Sequence, residues 1–238
     1  RLQHAIKHEV TATPQLRLMA MTSHFTGTVC VALFSYGLIR QLWYPDIFWK
    51  IAGGGELFLL VCTVDIVLGP LLVFSVFNPA KGWRRLRFDL LAIVAIQLLA
   101  LTYGLWTAYS VRPLFLAYSV DRFNLVTAID LTREDLAKAE RAEFKDASLT
   151  GPRVIGTREP KDADEKIKFI DSALSGKDRH LLPQTYVPFV EVKRQLEAKA
   201  LPIEKVRKAI PAVVARIESK YAGRHGPLGF VPVVAKGD

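Results

Sequence analysis

The sequence predicts a membrane protein with three transmembrane α-helices followed by a small extracytoplasmic α+β domain. The chain has 238 residues, 50% of which are hydrophobic, and its mean hydropathy is +0.20. The apolar residues are concentrated in the first half, in three stretches of about 20 residues that can each cross a hydrocarbon layer of ~30 Å. From residue 112 to residue 238 charged residues occur throughout, and no apolar stretch is long enough to span. This distribution excludes a simple soluble enzyme.

The first predicted span covers residues 26–44. It follows residues 1–24, which we predict to be an N-terminal extension that is disordered or cytoplasmic, with Met19 or Met21 as the expected start of translation. A signal peptide is the alternative, because such segments also follow a basic region. The span ends in LWYP rather than in a small-residue cleavage site, and aromatic residues are typical of a helix end at the lipid headgroups. We therefore favour a membrane span.

The other two predicted spans have a basic loop between them. The second span, residues 57–77, contains one ionisable residue, Asp65, and the third, residues 90–111, contains none. The loop at 78–89 has four basic residues that we expect to determine the topology: Lys81, Arg84, Arg85 and Arg87. The positive-inside rule places this loop in the cytoplasm. Three spans then place the N-terminus in the cytoplasm and residues 112–238 on the opposite side.

Asp65 is the first candidate site residue. An ionised carboxylate inside a membrane costs about 2.5–3.5 kcal/mol, so we expect Asp65 to pair with a donor or to hold a proton. Tyr103, which a count of helical rise places at a similar depth, and Arg40, in the first span, are the candidate donors. Two interpretations stay open, namely a polar anchor or proton site and an internal strut between spans.

Small residues and a proline complete the candidate site. Gly69 and Pro70 follow Asp65 by one turn and predict a kink, because proline removes a backbone donor. Ala100, Gly104 and Ala108 form a row of small residues at every fourth position, which allows another helix to approach closely. That helix is either the second span of the same chain or a helix of a separate protein. Together with Asp65 and Tyr103, these residues form the predicted partner-binding site.

Composition and motifs argue against several classes of function. Although 32 lysines and arginines exceed 23 acidic residues, the signs are mixed along the chain, so we expect no nucleic-acid-binding groove. Cys30 and Cys62 lie in apolar stretches, and His180 and His225 lack ligand spacing. No hydrolase, metalloprotease or kinase motif is present in the sequence. We therefore expect no enzymatic activity, no metal and no cofactor.

Local patterns in residues 112–238 predict an α+β domain. Residues 113–119 and 123–129 are typical of a β-hairpin. Thr132 and Asp135 have the spacing of a capping box, so a helix should begin there. The remaining predicted elements are a strand at 153–157, a helix with Ile167, Ile170 and Leu174 on one face that ends at Gly176, a helix over 206–221 that Pro211 kinks or divides, and a lone edge strand within 231–238.

Several strings in the first half of the chain are specific. They are LWYP at 42–45, GGGELF at 53–58, VDIVLGPLLVFSVFNP at 64–79, RFDL at 87–90 and RPLFLAYSVDRF at 112–123. Together they resemble the TfpX/TfpZ type IV pilin accessory family, which includes FimB-like proteins. The likeness covers residues 25–130 and continues more loosely to LPQTYVPF at 182–189. Three features depart from the family's pattern: Arg40, the N-terminal extension, and a C-terminus that ends before that of the family. Because of the last of these, we expect the chain to be truncated.

The resemblance implies a type IV pilin accessory protein of the bacterial inner membrane, with a periplasmic C-terminal domain. Such a protein would bind pilin through the pilin's transmembrane helix and its periplasmic head, contact membrane lipid, and promote pilin stability, assembly or surface display. The family supplies no catalytic residue or cofactor. A homo-oligomer is left open. The alternative function is a small ion-coupled or proton-coupled transporter that uses Asp65, whereas a sensor would need a larger cytoplasmic part.

Overall fold

The computed structural model describes residues 2–78, 82–222 and 228–234, and the chain divides into two units. The helical unit comprises residues 1–112 and the C-terminal unit comprises residues 113–238. Each unit has its own group of buried apolar residues. Lys81 lies outside the described residues.

Helices form the described part of the helical unit, and two of the boundaries between them are π-helical turns. The first turn, Ile39–Trp43, follows the first helix, and the second, Val64–Leu68, contains Asp65. A π-turn inserts an extra residue into a helix and often occurs at functional sites. The helices are α1 (Leu2–Leu38), α2 (Phe48–Ile51), α3 (Gly54–Thr63), α4 (Gly69–Val76) and α5 (Trp83–Ser110). Residues 2–24, predicted as an extension, are therefore the first part of α1.

The prediction of three transmembrane helices is wrong. Only Pro14–Trp43, with 30 residues, and Trp83–Ser110, with 28, are long and apolar enough among the described helices to cross a membrane. The predicted span 57–77 is divided by the second π-turn, and its apolar helical part, Asp65–Val76, would rise only about 18 Å. The physical reason lies in the sequence, where the turn contains the carboxylate of Asp65 and is followed by Gly69 and by Pro70, which has no backbone N–H to donate.

Aromatic residues form the small core of the helical unit. Ile39, Tyr44 and Ala108 are buried together, and the Tyr44 hydroxyl donates to the Ala108 carbonyl at 2.9 Å. Tyr36 packs edge-on against Trp49 and Phe58 nearby. The first π-turn, α2, α3 and α5 are thus joined by packing between residues far apart in the sequence.

A mixed sheet is the centre of the C-terminal unit. Its described strands are ordered β4-β3-β1-β2-β7, with antiparallel β1–β2 and β3–β4 pairs and parallel β1–β3 and β2–β7 pairs. The strands are β1 (Pro113–Ser119), β2 (Arg122–Thr127), β3 (Arg153–Thr157), β4 (Tyr186–Pro188) and β7 (Val233–Val234), with β5 (Leu201–Pro202) paired to β6 (Gly229–Phe230) separately. The helices are α6 (Arg133–Ala137), α7 (Ala163–Leu174), α8 (Phe189–Lys199), α9 (Glu204–Arg207) and α10 (Pro211–Lys220).

The core of this unit combines strand residues with aromatic rings. Leu114, Phe115, Val126 and Ile155 are each almost completely buried. The ring of Phe115 meets that of Tyr186 edge-on at 5.2 Å, and the Tyr186 hydroxyl donates to the His180 carbonyl at 2.6 Å. Burial of such rings is the main stabilising contribution in a domain of this size.

Most of the local predictions for the C-terminal unit are confirmed. The hairpin forms, the strand at Arg153–Thr157 has the expected bounds, and Pro211 divides the last helical segment into α9 and α10. The Thr132–Asp135 capping box is complete in both directions. The predicted lone edge strand is corrected, because β7 pairs with β2 in parallel. Residues 235–238 of that predicted strand lie outside the described residues.

Candidate partner-binding site in the helical unit

Asp65 lies in the second π-turn, in a partly buried position. Its Oδ1 atom is buried and has no hydrogen-bond partner among the described residues. Its backbone carbonyl accepts a hydrogen bond from Gln97 Nε2 at 3.4 Å. The turn therefore holds a carboxylate at the middle of a helical unit without a direct side-chain donor to Oδ1, an arrangement that is unfavourable for an ionised group.

Gln97 connects Asp65 to α1 through a chain of polar side chains. Gln97 Oε1 and His24 Nε2 are 2.9 Å apart, and the other ring nitrogen of His24 is 3.3 Å from Thr28 Oγ1. Since an amide oxygen only accepts, His24 donates from Nε2 to Gln97, and the Thr28 hydroxyl donates to the His24 backbone carbonyl at 3.0 Å. This polar chain, Thr28–His24–Gln97–Asp65, joins α1, the second π-turn and α5.

Gly69 lies where the polar chain passes close to α4. A Cβ atom at Gly69 would lie less than 3.0 Å from Gln97 Nε2 and from His24 Cε1. Pro70 comes next, near the start of α4, and has no backbone N–H to donate to the π-turn before it. Both residues are buried. The structure has a π-turn directly before these residues and α4 after it, and the kink stays a prediction.

The row of small residues on α5 is divided between two environments. Gly104 and Ala108 are buried within the helical unit, and Ala108 packs against Ile39 and Tyr44. Ala100 is exposed. The packing at Ala108 is therefore intramolecular, but it involves the end of the first predicted span rather than the second span that the sequence suggested, whereas Ala100 remains accessible.

Neither predicted donor contacts Asp65. Tyr103 is 69% exposed, and its ring contacts Trp106. Arg40 donates from Nη1 to the Tyr44 carbonyl at 3.2 Å. The residues that sequence reasoning missed are Gln97 and His24. Gln97 could have been found, because it is the only amide side chain in the predicted third span, whereas His24 fell in the segment assigned to an extension.

A stripe of large apolar side chains runs along the other side of α5. Its members recur at intervals of three and four residues and are each more than half exposed: Ile96, Leu99, Tyr103 and Trp106. In the most apolar segment of α5 only 11% of the residues are buried, and the same share is buried in the most apolar segment of Pro14–Trp43. Helices at the core of a soluble protein are mostly buried, so these exposed fractions indicate contact with lipid or with another helix.

At the N-terminal end of α5 lie the predicted topology-determining residues. Arg84, Arg85 and Arg87 are all exposed, and Trp83 beside them is 70% exposed. Basic and aromatic side chains at the end of an apolar helix are typical of the membrane–water interface.

The C-terminal unit contains a separate cavity that the sequence analysis did not predict. Its volume is about 810 Å³, and it lies between the β1–β2 hairpin, α7 and the turn Arg179–Leu181. Phe169 and Ile170 of α7 line one side, and His180 lines another. Burial lowers the pKa of His180, so its imidazole is neutral at pH 7. Among the described residues no group of three or more histidine, cysteine and acidic side chains is placed to hold a metal ion.

Next to this cavity, α7 presents an unusual helix surface. None of its residues is buried, and the apolar residues at helical spacing, Ile167, Ile170 and Leu174, are 64%, 53% and 83% exposed. Asp162 caps the helix by accepting from the Glu165 backbone at 2.7 Å. The helix is thus held by its cap and by charged contacts, while its apolar face is available.

Comparisons with known proteins relate the chain to proteins from Dichelobacter nodosus. It is 31% identical over 180 residues to a fimbrial assembly protein of serogroup I, covering 76% of this chain and 70% of that protein. The serogroup E1 protein is also 31% identical over 180 residues, and the protein of serogroups C1 and C2 is 34% identical over 116 residues, or 88% of its length. No family model and no solved structure matches the chain.

The similarity and the two long apolar helices together indicate a membrane-associated protein. At 31% identity over more than two thirds of both chains, the relationship extends well beyond the short strings in the first half of the sequence. The resemblance drawn from those strings is confirmed, and the chain belongs to the family of these fimbrial assembly proteins.

Proposed function

We propose that this protein is an accessory protein of type IV fimbrial assembly that resides in the bacterial inner membrane, binds pilin and promotes its stability, assembly or surface display. The observation that carries this proposal is the similarity to fimbrial assembly proteins over 76% of the chain. The role is one of interaction, since a pilin waiting in a membrane consists of an apolar helix and a head outside the membrane. A helper protein therefore needs one surface within the membrane and one beyond it.

The membrane surface of the proposal is the exposed stripe on α5. Tyr103 and Ala100 lie where a second helix can reach them. Asp65, Gly69, Pro70, Gly104 and Ala108 then act indirectly, because they hold α4 and α5 in the packing that presents this stripe. Large apolar side chains beside an alanine provide close contact for an apolar helix, which in lipid depends on packing rather than on the hydrophobic effect.

The proposed orientation follows from the start of α5. Three arginines at that end place it at the cytoplasmic face by the positive-inside rule. The chain then leaves α5 on the periplasmic side, and residues 113–238 are periplasmic. The cavity and the apolar face of α7 supply the proposed contact for the pilin head, since both present apolar side chains that the core of that unit leaves uncovered.

Site-specific photocrosslinking in cells tests the proposal. A photoreactive amino acid at Tyr103 or at Leu99 should form a covalent adduct with pilin, identified by mass spectrometry. The matched control is Ile93, which lies on the same helix but is only 8% exposed, and which should give no adduct. Adducts at Tyr103 only with a second copy of this chain would contradict the proposal and favour a homo-oligomer.

The alternative function, proton-coupled transport, depends on Asp65. Its buried Oδ1 without a partner is the observation that favours it, because a neutral carboxylic acid tolerates such a position. Asp65→Asn distinguishes the two functions, because pilin crosslinking in cells and proton flux in vesicles can both be measured for this variant. Loss of proton flux in vesicles with pilin crosslinking unchanged would favour transport, whereas unchanged flux with weakened crosslinking favours the accessory role.

A further inference from the structure

The first two turns of α5 carry a concentration of positive charge that the fold does not neutralise. Arg84, Arg85 and Arg87 are exposed, and none of them takes part in an ion pair within the described part of the chain. By contrast, Arg158 in the C-terminal unit is held by both Glu140 and Glu165. Exposed guanidinium groups clustered over four residues create a local positive potential that attracts anions.

Two of these arginines line a cavity. Its volume is about 570 Å³, and its lining residues are Arg84, Arg85, Phe88 and Asp89. On a helix, Phe88 follows Arg84 by four residues and Arg85 by three, so the three side chains share one face. The lining therefore combines two guanidinium groups and one carboxylate with an aromatic ring that is 70% exposed. Its net charge is positive, and one side of it is apolar.

This combination fits a lipid phosphate. A guanidinium presents two parallel N–H groups that match two oxygens of a phosphate, and paired guanidiniums favour an anion over a zwitterion, whose ammonium group they repel. Phe88 and the 70% exposed Trp83 are suited to the boundary between headgroups and acyl chains. Basic pockets at the cytoplasmic side of membrane helices bind anionic headgroups for the same reasons.

We propose that Arg84 and Arg85 form a binding site for the headgroup of an anionic phospholipid of the phosphatidylglycerol type, with Phe88 against the start of its acyl chains. Arg87 adds to the local positive potential, and Asp89 opposes binding. The proposal rests on the membrane placement of α5 in the proposed function, but not on pilin. Inorganic phosphate shares the headgroup chemistry and lacks the acyl chains, so it distinguishes a lipid site from a phosphate site.

The test uses the full chain, purified in a neutral detergent without pilin. Phosphatidylglycerol and phosphatidylcholine are titrated separately, and bound lipid is counted by native mass spectrometry; inorganic phosphate is then added as a competitor. We expect preferential binding of phosphatidylglycerol that millimolar phosphate does not displace. With ~1 kcal/mol for each basic residue near an anionic lipid, Arg84→Gln or Arg85→Gln should weaken it about fivefold and the double variant about thirtyfold.

Matched variants separate the site from general charge and from misfolding. Arg194→Gln together with Arg216→Gln removes the same charge from exposed positions of the C-terminal unit and should leave the preference unchanged. Asp89→Asn should increase affinity. Equal binding of the two lipids, an unchanged preference in a folded Arg84→Gln/Arg85→Gln variant, or displacement by inorganic phosphate would overturn the proposal. Failure of pilin crosslinking with these lipid results intact would reject only the proposed function.

Discussion

The two units of this protein differ in which side chains they expose and which they bury. The helical unit leaves large apolar residues such as Leu99 and Trp106 exposed and keeps its polar chain, from Thr28 to Asp65, inside. The C-terminal unit buries Phe115 and Tyr186 almost completely and has exposed ion pairs such as Arg141–Glu191 and Arg207–Glu218. The first arrangement suits a solvent of lipid and the second suits water. We infer that the two units face different solvents, and matched substitutions in the two units can test this inference.

The largest expected effect is in the C-terminal unit, at Gly156 of β3. A Cβ there would lie less than 3.0 Å from both γ carbons of Val192, a stiff, buried side chain of α8. Gly156→Ala should therefore lower the free energy of unfolding of this unit by about 3 kcal/mol. Hydrogen exchange by mass spectrometry on the full chain reports this as faster exchange in β3 and α8. A second substitution, Val192→Ala, should lower the free energy of unfolding less in the Gly156→Ala background than in the wild type. If the two losses simply add, a clash between residues 156 and 192 is not the cause.

Two buried tyrosine hydroxyl groups allow the same substitution in both units. Tyr186→Phe removes the buried hydroxyl that donates to the His180 carbonyl, which should cost about 2 kcal/mol. Tyr44→Phe removes the corresponding hydrogen bond to the Ala108 carbonyl. This substitution should cost only ~0.6 kcal/mol, the average for hydrogen bonds between membrane helices. Thermal unfolding in detergent, followed separately for each unit by hydrogen exchange, measures both. Equal losses would argue against different solvents for the two units.

The turn of the β1–β2 hairpin offers a stabilising substitution. Val120 has a φ of +63°, a conformation that is unfavourable for a β-branched residue. Its carbonyl accepts from the Tyr118 hydroxyl at 3.3 Å and from Lys199 Nζ at 2.9 Å, and these bonds hold the turn. Val120→Gly should stabilise the C-terminal unit by about 1 kcal/mol, seen as a higher melting temperature. Val120→Ala is the control, since it removes the branch but keeps the Cβ. It should raise the melting temperature less than Val120→Gly does.

A glycine in the helical unit provides the counterpart to Gly156. At Gly69 an added Cβ would meet the end of the flexible Gln97 side chain, which can move away. Gly69→Ala should thus cost only about 1 kcal/mol, through the lost contacts of Gln97 with His24 and the Asp65 carbonyl. Gly27→Ala, with nothing within 4 Å of the new Cβ, is the control in α1. Once Gln97→Ala is present, Gly69→Ala should add almost nothing; a full additional cost would reject this explanation.

The smallest expected effect concerns pH and the Arg158–Glu165 ion pair. Hydrogen bonds from Arg158 lower the pKa of Glu165 to about 2, from an ordinary value of 4.5. A lowered pKa adds stability above pH 4.5, and this stability is lost as the pH falls toward 2. Because the pair is partly exposed, the contribution should be below ~1 kcal/mol. Glu165→Gln should flatten the stability profile of the C-terminal unit between pH 4.5 and 2. An unchanged profile would show that the pair contributes nothing.

Local rules account for the features that were predicted correctly. The Thr132–Asp135 capping box, the β1–β2 hairpin and the helix boundary at Pro211 each depend on residues within about four positions of one another. The same rules failed for residues 57–77, where mean hydropathy over a window does not register a π-turn inside an apolar run. The pattern measured how apolar the segment is, but not whether its helix is continuous.

For the candidate site, the sequence identified Asp65, Gly69 and the row of small residues but not what they contact. Tyr103 was chosen as a donor by counting helical rise, which assumes a straight helix through Asp65, and the π-turn removes that assumption. Gln97, His24 and the cavity beside α7 appear only when helices or strands far apart in sequence are packed together.

By itself, the sequence determined the family, the apolar character of α1 and α5, the arginines at the start of α5 and the local elements of the C-terminal unit. These depend on composition and on short-range spacing, which the chain carries in any conformation. Only the tertiary structure decided that Gly104 and Ala108 face inward while Ala100 faces outward, that Gln97 joins His24 to Asp65, and that β7 pairs with β2. Contacts between residues tens of positions apart depend on how whole elements pack, and that packing is a property of the folded chain.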